Sequence, residues 1–99
     1  MEKKELIELF KDGVDGEFLQ FHHVENKLSK RADLNALLLL DSLVDSEECI
    51  IADVGHDTVY LTIDIDQLSK AITDESQVLD LIRCGVLYER ESESLVIYP

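Results

Sequence analysis

The 99-residue sequence has no tryptophan, one proline, four glycines and two cysteines. So little proline and glycine, without a low-complexity run, gives no sign of general disorder. Two cysteines are too few for the disulfide framework of a small secreted domain. The longest unbroken apolar run, residues 36–40, is far shorter than the roughly 20 residues that span a bilayer. These absences predict one folded domain, residues 1–99, outside the membrane.

Basic residues are also scarce: nine stand against 22 acidic residues, for a formal charge of −13. Residues 1–40 carry eight acids and six bases, whereas residues 41–99 carry fourteen acids and three bases. A surface of this sign repels phosphate backbones and anionic membranes and attracts cations or basic protein patches. Solubility alone is the simpler explanation of the same charge.

The cysteines and the first residues bear on the cell compartment. Cys49 and Cys84 lie far apart in apolar patterns, which predicts two buried free thiols in a reducing compartment. The charged start at Met1 leads into an amphipathic segment rather than the apolar core of a secretory leader. We therefore expect a cytoplasmic protein.

The first third of the chain predicts helices. Residues 3–12 place their apolar side chains on one helical face, and the glycines of 12–16 are expected to end that helix. Residues 17–29 fit helical spacing through Phe18, Phe21, Val24 and Leu28, but part of the segment also alternates as a strand would. We favour a helix there.

A leucine-rich segment and a hairpin follow. Residues 34–44 predict a helix with Asp33 as its N-cap, apolar around most of its circumference. Such a helix is buried by other elements, which we favour, or by a second subunit. Residues 49–63 alternate as two strands around Gly55-His56, which predicts a β-hairpin with a type II′ turn.

Two short helices and two strands complete the chain. Helices are predicted over 66–72 and 75–84, the second capped by Thr73 or Asp74 and ended by Gly85. The strands are predicted over 86–88 and 95–98, with the polar residues 89–94 between them.

From Leu34 onward this order is helix, strand, short helix, helix and terminal hairpin, and it resembles the winged-helix variant of the helix-turn-helix fold. The resemblance is carried by the stretch Val-Leu-Asp-Leu-Ile-Arg-Cys-Gly-Val-Leu-Tyr at 78–88, followed by the strand at 95–98. It implies a small α+β domain with a core over 33–99 and an N-terminal helical extension over 1–32. The hairpin at 49–63 departs from the pattern, which has one short strand there.

Winged-helix proteins ordinarily bind DNA through the third helix and the wing, but the acids on these elements oppose phosphate contacts. We therefore expect a non-catalytic, acidic protein-interaction module whose partner has a basic surface. One version is a regulator or DNA mimic of the kind that phages and mobile elements encode. The residues expected to bind the partner are Glu75, Asp80, Glu89, Glu91 and Glu93.

The alternative is a sequence-specific DNA-binding transcriptional regulator, dimeric through the 34–44 helix or the N-terminal helices. The residues that would then contact DNA are Gln77, Arg83, Lys27, Lys30 and Arg31. A third hypothesis is a structural subunit that completes its core only in an oligomer.

No cofactor, metal or catalytic residue is expected. His22, His23 and His56, together with the two cysteines, lack the paired spacing of zinc ligands. The Asp12–Gly16 region fails the calcium-loop pattern, and no glycine-rich phosphate loop is present in the sequence.

Overall fold

Helices and an antiparallel sheet form an α+β fold in the computed structural model, which describes residues 1–98. The helices are α1 Lys3–Glu17, α2 Ala32–Leu43, α3 Ile65–Ala71 and α4 Glu75–Arg83. The strands are β1 Ile51–Val54, β2 Val59–Leu61, β3 Val86–Glu89 and β4 Ser94–Ile97, and they lie in the order β1-β2-β4-β3. The predicted α+β class is therefore confirmed.

The sheet joins the two predicted hairpins edge to edge, because β2 pairs with β4. The first hairpin is confirmed, but its predicted two-residue type II′ turn is wrong. Val54 pairs with Val59, so the connection has four residues, 55–58, and the Gly55 amide donates to the Thr58 carbonyl at 2.7 Å. A β-bulge between Ile51 and Asp53 interrupts the outer strand.

Helix α1 does not end at the glycines as predicted but continues to Glu17. A Cβ on Gly13 would lie only 2.6 Å from Cδ1 of Ile82. Gly13 therefore allows α1 to approach α4 closely instead of ending the helix, a role set by a residue far along the chain.

The helix favoured for residues 17–29 is also wrong. Only a 3₁₀ turn, Phe21–His23, forms there. Leu19 adopts a positive φ of 61°, and its amide donates to the carbonyl of Ile82 at 3.2 Å. The backbone at Leu19 therefore departs from helical geometry, and its amide bonds to the end of α4.

Helix α2 begins one residue before the predicted N-cap. Arg31 occupies the cap position without a side-chain cap bond, while the Asp33 carboxylate accepts only from the next amide, that of Leu34. The helix buries one face through Ala36 and Leu40 and leaves Leu34 exposed on another. The expected burial of α2 is therefore correct for one face only.

Helices α3 and α4 carry strong local start signals. Asp64 and Asp74 each form a capping box, with Gln67 and Gln77 respectively. Gly85 has a positive φ of 98° directly after α4, as expected of a glycine that ends a helix. The connection between these helices has three residues, 72–74.

One hydrophobic core joins the helices to the sheet. Leu6 and Phe10 of α1 pack in the same cluster as Leu68 of α3, Ile82 of α4 and Leu95 of β4. Cys84 belongs to this core, whereas Cys49 is exposed, so burial of both thiols was wrong. Cys49 precedes β1, whose residues are all exposed. Across residues 1–98, no helix has both the length and the apolarity needed to cross a membrane.

Candidate interaction surface

The start of α4 is an acidic, capped helix end. The Asp74 carboxylate accepts a hydrogen bond from the Ser76 amide at 3.1 Å. Oε1 of Gln77 accepts from the amides of Thr73 (2.8 Å) and Asp74 (3.1 Å). Gln77, one of the residues considered for reading DNA, thus uses its side-chain oxygen inside its own helix cap. Glu75 is exposed beside this cap.

The other end of α4 is neutralised by ion pairs. Arg83 donates through Nε to Glu17 at 2.7 Å and through Nη1 to Asp80 at 2.9 Å, and only 18% of its side chain is exposed. His23 contacts the same Glu17 oxygen at 3.0 Å. The hydrogen bond from Arg83, helped by His23, lowers the pKa of Glu17 from 4.5 to about 2, and the bond to Glu17 raises the pKa of Arg83.

This arrangement alters the role expected of two residues. Asp80 was expected to bind a partner and Arg83 to contact DNA, but each bonds to the other. Their charges largely cancel, and they tie the last turn of α4 to the end of α1 through Glu17. Of the two acids of α4, Glu75 is the exposed one.

The turn between β3 and β4 displays acids. Glu91 and Glu93 are exposed, and Glu93 has a positive φ of 54° within this turn. Glu89 is half-buried, and its carboxylate accepts from the Ser92 hydroxyl at 3.0 Å. Burial, followed by the Glu89 charge, raises the pKa of Tyr98. Glu89 is the last residue of β3, whereas the other two acids lie in the turn that follows.

A groove of about 480 Å³ separates this hairpin from α1. We call it the hairpin groove. Apolar side chains from both sides line it, including Ile7 and Val14 of α1 and Leu87 of β3. The charged residues of the lining are Glu8, Lys11, Arg90 and Glu93.

A second groove, of about 360 Å³, lies on the other side of α1, where Glu75 approaches it. We call it the acidic groove. One basic residue, Lys4, lines it together with Leu9. The acids of its lining are Glu2, Glu5, Glu8, Asp12 and Glu75.

Sequence reasoning missed the acidic groove because residues 1–40 are nearly neutral as a set. The available signal was the spacing of Glu5, Glu8 and Asp12, which places them on one side of a helix. Their meeting with Glu75 depends on the packing of α1 against α4, which the sequence did not reveal. Glu8 lines both grooves, so α1 forms the ridge between them.

The basic residues considered for DNA contact lie at a different place. The Lys27 ammonium donates to the Val24 carbonyl at 2.8 Å and lies 5.1 Å from the centre of the Phe21 ring. Lys30 and Arg31 are exposed just before α2. Asn35 ties that end of α2 to Cys84 by a 3.3 Å contact, so these bases lie toward the end of α4 that is opposite to Glu75.

The remaining polar residues form no metal centre within residues 1–98, where no group of three His, Cys, Asp or Glu residues is placed to hold an ion. His22 packs edge to face against His23 with ring centres 4.2 Å apart. Burial raises the pKa of the Cys84 thiol, which favours its protonated form.

Comparison of the chain with family models, with curated proteins and with solved structures gives no match.

Proposed function

We propose that this protein is a non-catalytic protein-interaction module that binds a partner with a basic surface. The observation that supports it most directly is the gathering of acids around α1. Glu75 joins Glu5, Glu8 and Asp12 along one groove, and Glu93 lies across the other. Opposite charge on a partner would steer encounter and fix the register of binding.

We further propose that the scaffold is winged-helix-like. The three-residue connection between α3 and α4 is typical of a helix-turn-helix, and the β3–β4 hairpin follows as a wing would. Helix α1 packs against both α3 and α4, so we assign α1 rather than α2 as the first helix of this unit. Strand β1 is an addition at the edge of the sheet.

DNA binding is less well supported on this scaffold. Arg83 is engaged by two carboxylates, and the side-chain oxygen of Gln77 is used in a helix cap. Lys27, Lys30 and Arg31 offer three exposed bases against a net charge of −13. One form of the proposal is a protein that competes with DNA for a basic groove on its partner. We also propose a cytoplasmic location, which the two free cysteines support.

The test has two arms. The first captures partners from native host extract, purifies the partner and maps amide hydrogen exchange in the complex. We expect protection in α1, at the start of α4 and in the β3–β4 turn; protection confined to other segments would overturn the proposal. The second measures fluorescence anisotropy of a labelled DNA duplex at low salt, where phosphate contacts are strongest. Tight, salt-sensitive DNA binding would instead favour the transcriptional regulator.

A further inference from the structure

Helix α2 presents an apolar stripe away from the core. Leu34 is 45% exposed and Leu38 is 37% exposed, and they lie one turn apart on the side opposite the buried Ala36 and Leu40. Arg31, directly before the helix, and Asp41, in its last turn, lie on the same side. We call these four residues the α2 stripe: Arg31, Leu34, Leu38 and Asp41.

The charges at the ends of this stripe oppose the helix dipole. A helix N-terminus favours negative side chains and a C-terminus favours positive ones. Arg31 and Lys30 stand at the N-terminal end of α2, while Asp41 and then Asp45 stand at the other end, whose last turn has no basic residue. Asp33 is the one favourable charge. By contrast, α3 and α4 each have an acid in the first turn and a base in the last.

We propose that a second copy of this chain binds the α2 stripe, with the two α2 helices antiparallel about a two-fold axis level with Ala36. At a rise of about 1.5 Å per residue, Leu34 of one copy is then level with Leu38 of the other. Arg31 is level with Asp41 of the second copy by the same arithmetic. Both pairs occur twice because the contact is symmetric.

Charge decides the orientation. In the antiparallel pair, each basic end of α2 faces the acidic end of its neighbour, which relieves both unfavourable ends at once. A parallel pair would place Arg31 against Arg31 and Asp41 against Asp41. The stripe is therefore complementary to itself in one orientation only, and this argument selects a second copy over a partner of one charge.

The contact is expected to be weak and reversible. Two leucines and two charged residues from each of the two helices bury less area than the roughly 1,200 Å² of a standard interface, and interfaces of that size are typical of weak, transient association. The α2 stripe lines neither the hairpin groove nor the acidic groove, so this inference stands apart from the proposed function.

Sedimentation velocity over a micromolar to millimolar range of the purified chain tests the proposal. Wild type is expected to dimerise as its concentration rises. Arg31→Asp and Asp41→Arg each place like charges opposite one another twice, and each is expected to weaken the dimer more than about tenfold. An equimolar mixture of the two variants restores both attractions and is expected to dimerise again.

Thermal unfolding controls for folding. Both substitutions place a favourable charge at an end of α2, so the Tm of each variant should equal or exceed that of the monomeric wild type. Leu38→Gln removes the apolar contact without changing charge and should also yield a monomer. A wild type that stays monomeric at the highest concentration would overturn the proposal. So would a dimer unaffected by Arg31→Asp, or a mixture that fails to associate.

Discussion

At the scale of single residues, Asn35 is a buried polar group that connects three segments. Its Oδ1 accepts from the amides of Leu28 (2.6 Å) and Ser29 (3.0 Å), and its Nδ2 donates to Sγ of Cys84 at 3.3 Å. An asparagine among leucines gives no local sign of this role, because its partners lie in a loop and at the end of α4. Sequence reasoning therefore did not identify it.

Asn35→Ala is expected to lower the free energy of unfolding by about 1–3 kcal/mol, because two amides lose their acceptor in a part-buried site. Asn26→Ala is the matched control, since Asn26 is exposed, and should change stability by less than about 0.5 kcal/mol. Urea titration of both variants measures the difference. Equal effects would show that the bonds of Asn35 contribute little.

The ion pairs of Glu17 predict a specific pH dependence. Because the folded pKa of Glu17 is lowered to about 2 from 4.5, its stabilisation is fully present above 4.5 and is lost as the pH falls toward 2. The stability difference between wild type and Glu17→Gln should therefore shrink across that window. Urea titrations at several pH values measure it, with Glu25→Gln as the control for removing one charge. A difference that stays constant with pH would contradict the assignment.

At the scale of elements, the sequence correctly predicted those helix ends that are determined by residues within one turn. Thr73 or Asp74 was predicted to cap α4 and Gly85 to end it, and the structure has Asp74 and Gly85 in these roles, because a capping carboxylate and a positive φ act within one turn. The helix predicted over residues 17–29 was wrong because a contact with a distant part of the chain determines the structure there. Its helical spacing is real, but the amide of Leu19 bonds to Ile82, which no local pattern reveals.

The two glycines of α1 offer a matched test of helix packing. Gly16 has open space around it, so Gly16→Ala should raise the free energy of unfolding by about 0.5–1 kcal/mol through helix propensity. Gly13→Ala gains the same propensity but forces a methyl group against the fully buried Ile82. Overpacking typically costs about 1–3 kcal/mol, so this variant should be no more stable than wild type. Thermal unfolding that stabilises both variants equally would refute the close α1–α4 contact.

At the scale of the whole molecule, the charge of −13 was evident from the sequence, but its arrangement was not. Glu91 and Glu93 were correctly expected to face solvent in a polar turn. Asp80 was expected to do so as well, yet Arg83 neutralises it. The acids of α1 belong to a chain segment that is almost neutral in sum, and only folding brings them beside Glu75.

The central claim is that the position of the acids, rather than their number, creates the binding surface. A surface variant neutralises four exposed acids of the two grooves, Glu5, Asp12, Glu75 and Glu93, to the corresponding amides. A control variant neutralises four exposed acids elsewhere, Glu25, Glu47, Glu48 and Asp53, to the corresponding amides. The two variants therefore have equal net charge, and circular dichroism of each checks that it is folded.

The most direct measurement is the affinity of wild type and both variants for the purified partner captured from host extract, determined by isothermal titration calorimetry at a fixed salt concentration. We predict that the surface variant binds more than about tenfold more weakly, whereas the control variant stays within about twofold of wild type. Equal losses in the two variants would contradict the account, because net charge alone would then explain binding.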